Sequence, residues 1–401
     1  MTDRQSSEPA ATTLGTRLKS LQHDLFRSSL HDERTAALLG SALGVTFTIC
    51  FATGLYSHFA QHPPSWFLLP SRPAGLYRVT QGLHVATGLA SIPLLLAKLW
   101  TVYPKLFTWP PFSSVANALE RLAIFPLVAG SLFLLFTGLA NINLWYPWKF
   151  NFPIAHYWAA WTTIGALIVH IGAKWSITRR EIRPQRAPTA NGARVHPVEV
   201  DAVTLERRRF LGAVLGTSAV VTLFTIGQTV RPLRKLALLA PRRPDTGTQG
   251  FPVNRTARAA YVVDSARSPD YRLVVTGKVS RPLTLTLDQL RALPQRTATL
   301  PIACVEGWST SQVWTGISVR DLLTMAGARP NAAVHVVSLQ PARSYRTSDL
   351  NHWQAHDPDT LLALEVNGEP LALDHGYPLR LIGPDRPGVM QTKWVTKLVV
   401  Q

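Results

Sequence analysis

The chain has 401 residues, 46% of them apolar and only 16% charged, with 41 Lys and Arg against 23 Asp and Glu. That length calls for two or three domains, and two cysteines are too few for a disulfide framework or a thiolate zinc cluster. The net charge of +18 would imply nucleic acid only if the basic residues clustered on one folded surface, whereas many of them flank apolar runs, so nucleic acid is excluded as the partner.

A basic tail over 1–34 precedes four apolar runs: Thr35–Tyr56, Gln81–Tyr103, Leu122–Ile142 and His156–Ile177. Each has close to the roughly 20 residues that cross about 30 Å of hydrocarbon, and they carry almost no charge apart from Lys98 near an end, where its amine can snorkel. A fifth run covers Phe210–Val230. Seventeen Lys and Arg lie in the tail and in the connections after the second and fourth runs, against three (Arg72, Arg78, Lys149) in the other connections. The positive-inside rule therefore places the N-terminus in the cytoplasm and everything after the fifth run outside. The expected organisation is a cytoplasmic tail over 1–34, a four-span domain over 35–178, a polar, proline-containing linker over 179–206 read as mobile, a fifth span over 207–231 and an exterior domain over 250–401. The predicted fold class is multidomain, an all-α transmembrane helix bundle of five spans plus an α+β domain.

At the head of the fifth run, ERRRFLG (Glu206 to Gly212) precedes a small-residue-rich segment and resembles a twin-arginine export signal through Arg207, Arg208, Phe210 and Leu211. The plain alternative is a positive-inside flank. The resemblance implies insertion of the first spans by the Sec machinery and passage of a folded, cofactor-loaded domain by the twin-arginine machinery, in a bacterial cytoplasmic membrane.

From Arg243 onward the composition turns soluble, with strand-like RLVVTGKV and VHVVSL and helix-like LDQLRAL and VRDLLTMAG. In this part stands Cys304, within PIACVEGWSTSQVW. A lone thiolate without nearby His or Cys suits a metal whose other ligands come from an organic cofactor. The motif ACVEGWS, the Trp-x-Gly at Trp314 and Gly316, the helix-like VRDLLTMAG and the C-terminal LLALEVNGEPLALDHGYPLRLIGPDRPGVMQTKWVTKLVV together resemble the sulfite oxidase family of molybdopterin oxidoreductases, over roughly Asn254 to Gln401.

That resemblance implies a molybdenum–molybdopterin cofactor with Cys304 as the metal ligand. It implies that His375 and Arg380 hold the pterin, that Lys393 contacts its phosphate and that Asn254 is a further cofactor contact. It also implies oxygen-atom transfer to or from a small oxo-substrate. Arg343, Tyr345, Arg346 and His352 are candidates for the substrate pocket, with Arg343 and Tyr345 as catalytic candidates. Their arginines would attract an anionic oxoacid.

A two-electron metal centre needs a redox partner, and histidines within the spans supply candidates. His84 opens the second span, while His156 and His170 lie fourteen residues apart in the fourth, which returns them to within about 40° of one helix face some 21 Å apart. The arrangement is similar to the haem b subunits of respiratory formate dehydrogenases and hydrogenases. It implies that His84 and His156 grip an outer haem b, with His170 a candidate ligand deeper in. The position where those families place the mate of His170 is Gly40, and His31 lies roughly 14 Å too early along a helix to replace it. His58 and His62 read as interfacial. The expected function is a membrane-bound molybdoenzyme exchanging electrons through its own haem with a quinone or another carrier. The alternative is a haem b electron shuttle carrying a non-catalytic exterior binding domain.

Overall fold

The structure is a computed structural model that describes residues 28–104, 115–183, 197–341 and 345–401. Five long helices come first: α1 (Glu33–Gln61), α2 (Leu76–Val102), α3 (Val115–Ile142), α4 (Phe152–Ile182) and α5 (Pro197–Ile226). All five are long and apolar enough to cross a membrane. Their apolar residues run all round the helix instead of along one stripe, and Leu122, Phe125, Trp158 and Ile168 are each more than 60% exposed, as lipid-facing side chains are. The start of α4 is fixed locally: Asn151 accepts a hydrogen bond from the Ile154 N–H, and a proline stands in the first turn.

The chain divides into two compact units, and the division cuts across the helices instead of following the boundaries read from the sequence. One unit is built from the chain up to Thr48 with Leu89–Thr137 and Asn151–Val220. Its core is Leu39, Leu43, Leu94, Leu95 and Val214. Hydroxyls join its helices: Ser91 donates to Thr46 at 2.8 Å and Ser218 to the Ala90 carbonyl at 3.0 Å. Gly130 lets α3 lie against α4, since a Cβ there would stand 2.2 Å from the Thr163 hydroxyl. Within the linker expected over 179–206, α4 runs on to Ile182 and α5 begins at Pro197, well before its apolar run, and 184–196 lie outside the described residues. A proline suits a helix start, and the sequence after it is rich in residues that a helix accepts.

The other unit comprises Ile49–Gly88, Gly138–Phe150 and Val221–Gln401. Its larger part is an α+β fold with strands β1 (Arg272–Gly277), β2 (Leu283–Thr286), β3 (Arg296–Ala303), β4 (Ser309–Ser318), β5 (Val334–Ser338), β6 (Thr347–Leu350), β7 (Leu361–Val366), β8 (Glu369–Pro370), β9 (Arg380–Ile382) and β10 (Val395–Val400). One sheet has the order β2-β1-β10-β5-β6, with β1 and β10 parallel. The second has the order β3-β4-β7-β8, with β9 also paired to β7. The core on the first sheet includes Leu273, Val275, Leu322, Val336 and Leu398, and that on the second includes Leu300, Ile302, Trp314, Leu361 and Ile382.

The ends of α1 and α2 belong to this unit because they are bonded to it. Asp385, which is 1% exposed, accepts from the Tyr56 hydroxyl at 3.0 Å and from the Tyr77 N–H, and its own N–H donates to the Ala74 carbonyl at 3.0 Å. Arg72 makes two 2.9 Å bonds to the Asp357 carboxylate, and Asn351 donates to the Leu69 carbonyl at 2.8 Å.

Candidate active site

Cys304 sits in the tight turn between β3 and β4. Its N–H donates to the Trp308 carbonyl at 2.9 Å, and the Gly307 N–H donates back to the Cys304 carbonyl at 3.0 Å. Gly307 has φ +92, and a Cβ there would meet Gln228 Nε2 at 2.7 Å and Val85 Cγ2 at 3.2 Å, so only glycine closes this turn. Cys304 is buried, and burial together with the Glu306 charge pushes its thiol up to about 12. Such a thiol is no nucleophile at neutral pH. Among the described residues there is no group of three or more His, Cys, Asp or Glu that could hold a metal ion.

Five candidates from widely separated positions meet here: Asn254, Cys304, His375, Arg380 and Lys393 line one pocket. The His375 ring stacks on Phe251 with centroids 3.7 Å apart, and its Nε2 donates to the Thr248 carbonyl at 2.7 Å. Burial and the adjacent Arg380 guanidinium hold this imidazole down to about 3, so it is neutral. Arg380 donates to the His375 carbonyl at 3.0 Å and lies over the Trp314 ring, 5.3 Å from its centroid. Its Nε is buried without a partner. Lys393 donates to the carbonyls of Arg255 and Asp374, each at 2.8 Å, and burial followed by the Arg380 charge pushes its amine well below the ordinary range. Two buried cationic groups side by side, paired to carbonyls, make a cradle for an anion.

The substrate-pocket candidates are placed less centrally. Arg343 lies outside the described residues. Tyr345 has φ 63 and is partly exposed, and its hydroxyl is pushed up by burial and then by the nearby Cys304. Arg346 is exposed and His352 opens a short helix, and neither lines the pocket. Among residues not singled out from the sequence is Glu306, whose carboxylate accepts from Trp308 Nε1 at 3.0 Å and pairs with Arg242 at 3.1 Å. Burial raises that carboxyl. Its signal was its place in ACVEGWS, two residues after the cysteine.

The histidines of the helices are placed as follows. His84 Nδ1 lies 2.8 Å from the Cys50 carbonyl, and its ring packs so closely on Gly54 that a Cβ there would stand 2.8 Å from it. In the other unit, His156 Nδ1 is 2.8 Å from the Thr137 hydroxyl, whose own proton goes to the Phe133 carbonyl at 2.8 Å. His170 lies in α4, about two and a half turns from its C-terminal arginines.

The family described as oxidoreductase molybdopterin binding domain matches residues 260–401. Mitochondrial sulfite oxidase of Drosophila melanogaster is 34% identical over 156 residues, covering 33% of this chain and 27% of the fly protein. YedZ1 of Azospira oryzae, a provisionally named protein-methionine-sulfoxide reductase subunit, is 36% identical over 166 residues, covering 40% of this chain and 61% of that protein. The chain thus spans less than two thirds of either of these relatives. The uncharacterized oxidoreductase YuiH of Bacillus subtilis is 33% identical over 150 residues, with 37% of this chain and 72% of YuiH covered. With that share of YuiH matched, and with the pocket around Cys304 built mostly from the matched segment, the chain belongs to the family of oxidoreductases that carry a molybdopterin binding domain.

Proposed function

We propose that this chain is a membrane-bound molybdenum enzyme that moves an oxygen atom to or from a small sulfur oxo-compound outside the cytoplasmic membrane, and that it exchanges electrons through a haem b held in its own helices. The observation that carries the reading is the meeting of Cys304 with Asn254, His375, Arg380 and Lys393 in one pocket. These residues fit a pterin cofactor. The partnerless Arg380 Nε and the depressed Lys393 amine both gain from a bound phosphate, and the neutral His375 can lie against a heterocycle without adding charge. Cys304 would hold the metal, which would displace the thiol proton that burial otherwise retains. Bound there, molybdenum would supply the oxygen-atom and two-electron chemistry. Substrate at sulfur follows the fly relative, named for sulfite, and the Azospira relative, named for methionine sulfoxide.

The haem half of the reading rests on His84 and His156. Each has Nδ1 as a donor, His84 to a backbone carbonyl and His156 to a hydroxyl already committed elsewhere, which selects the tautomer whose Nε2 can bind iron. A route between the two centres is supported by Gly307, whose backbone lies against Val85, the neighbour of His84. The N-terminus would be cytoplasmic, and Arg207 and Arg208 would direct the folded domain to the twin-arginine machinery after Sec insertion of the first spans. A quinone or another carrier would complete the path.

Rapid mixing tests this directly: purified protein with reduced haem is mixed with methionine sulfoxide, or oxidised protein with sulfite, while the haem spectrum is followed. One of the two should change the haem in the wild type and neither in Cys304→Ser. A haem that responds equally in both proteins would overturn the reading.

A further inference from the structure

The turn that carries Cys304 is held from outside its own sheet. Gln81, on α2 and 5% exposed, donates from Nε2 to the Val305 carbonyl at 3.3 Å, and its Oε1 accepts from the Ser57 hydroxyl at 3.1 Å. Asn141, in the last turn of α3, donates from Nδ2 to the same carbonyl at 3.5 Å, and its Oδ1 accepts from the Tyr146 hydroxyl at 3.0 Å. The rest of the turn is fixed from beyond α5: the Thr229 hydroxyl donates to the Gly307 carbonyl at 2.5 Å, and the Ser309 N–H donates to the Gln228 carbonyl at 2.9 Å. On the strand side, Ala303 packs with Ala60, Leu69 and Tyr77.

A backbone carbonyl has two lone pairs, and that of Val305 receives two amide donors from two apolar helices, each amide oriented by a hydroxyl behind it. Amides within otherwise apolar helix ends are costly unless both their halves are bonded, and these are. We propose that Gln81 and Asn141 are positioning residues of the molybdenum site: they clamp the Val305 carbonyl, so the direction of the Cys304 sulfur is set by the helices and not by the α+β domain alone. The inference rests on the function proposed above.

The test uses the purified full chain and its Gln81→Met, Asn141→Ala and double variants, with Asn143→Ala as control, since among the described residues the Asn143 side chain bonds the Leu139 carbonyl of α3 and not the turn. Hydrogen exchange of the amides of Cys304, Gly307 and Ser309 should quicken about fivefold in each single variant and more than tenfold in the double, the loss of one ordinary hydrogen bond each, with no change in the control. In the molybdenum-loaded protein, X-ray absorption should show a displaced or broadened sulfur shell in the variants at unchanged metal content. Unchanged exchange overturns the clamp. Faster exchange with a sulfur shell identical to the wild type reduces Gln81 and Asn141 to fold stabilisers and overturns the positioning claim. Wild-type protein free of molybdenum would sink the proposed function, while the exchange arm would still decide the clamp.

Discussion

The helices and the α+β domain invert each other's arrangement of polarity. In α3 and α4, large apolar side chains such as Phe125 and Trp158 face outward and the polar groups are turned onto neighbouring helices, as with Thr137 and Thr163. In the domain, apolar strands are buried while Arg380, Arg386 and Lys393 are buried with them, Arg380 bonded to the His375 carbonyl and Arg386 to the Gln354 amide oxygen. Burial of a cation against its solvation is expensive and is retained where something anionic is to be held. The contrast separates two kinds of functional signal: in the helices the informative residues are polar ones in an apolar setting, and in the domain they are buried cationic ones bonded to carbonyl and amide oxygens.

The contrast can be broken at its centre first. Cys304→Ser replaces the proposed soft ligand and should abolish turnover while leaving the fold, since the side chain contributes little volume to the core around Trp308 and Trp314; steady-state assay with circular dichroism checks both. Full activity would show that the thiolate holds no metal.

On the helix side, His84→Ala and His156→Ala should each remove the same low-spin haem absorbance, and His170→Ala should spare it, in reduced-minus-oxidised spectra of purified variants. A normal haem in His84→Ala with its loss in His170→Ala would reassign the ligands. A smaller effect belongs to the cradle: Arg380→Gln and Lys393→Met should each lower cofactor retention about 10- to 100-fold, the range for a lost charge-assisted bond, read as pterin released per protein.

The smallest effect sharpens the comparison where the two kinds of structure meet within one compact unit. Burial pushes the Asp385 carboxyl up to about 6 from 3.8, against the bonds from Tyr77 and Tyr56. The folded state therefore binds this proton more tightly than the unfolded one, so its stabilising contribution is complete below about pH 4 and is lost as the pH rises through 6. Thermal unfolding of the full chain between pH 4.5 and 7.5 should show this fall, and Asp385→Asn should flatten it. An equal slope in both would assign the dependence to other groups.

Much of this was legible in the sequence. Apolar run length located all five helices, because length against bilayer thickness is a coarse, robust criterion; the start of α5 was missed because polar residues after Pro197 continue a helix without extending an apolar run. Cys304 stood out by rarity, and VRDLLTMAG and VHVVSL fell on the expected helix and strand. The assembly of Asn254, His375, Arg380 and Lys393 about that cysteine was legible only through resemblance, since no local pattern brings residues that distant together. Gln81 and Asn141 were not legible at all. A single amide at the end of an apolar helix looks the same whether it meets headgroups or the Val305 carbonyl.

The central claim is that one chain carries both redox centres, and elemental analysis of the purified full-length protein tests it most directly. The account predicts molybdenum and iron each near one per chain, with Cys304→Ser losing molybdenum but keeping iron and His84→Ala losing iron but keeping molybdenum. Iron without molybdenum would leave only the electron shuttle, and neither metal would contradict the account altogether.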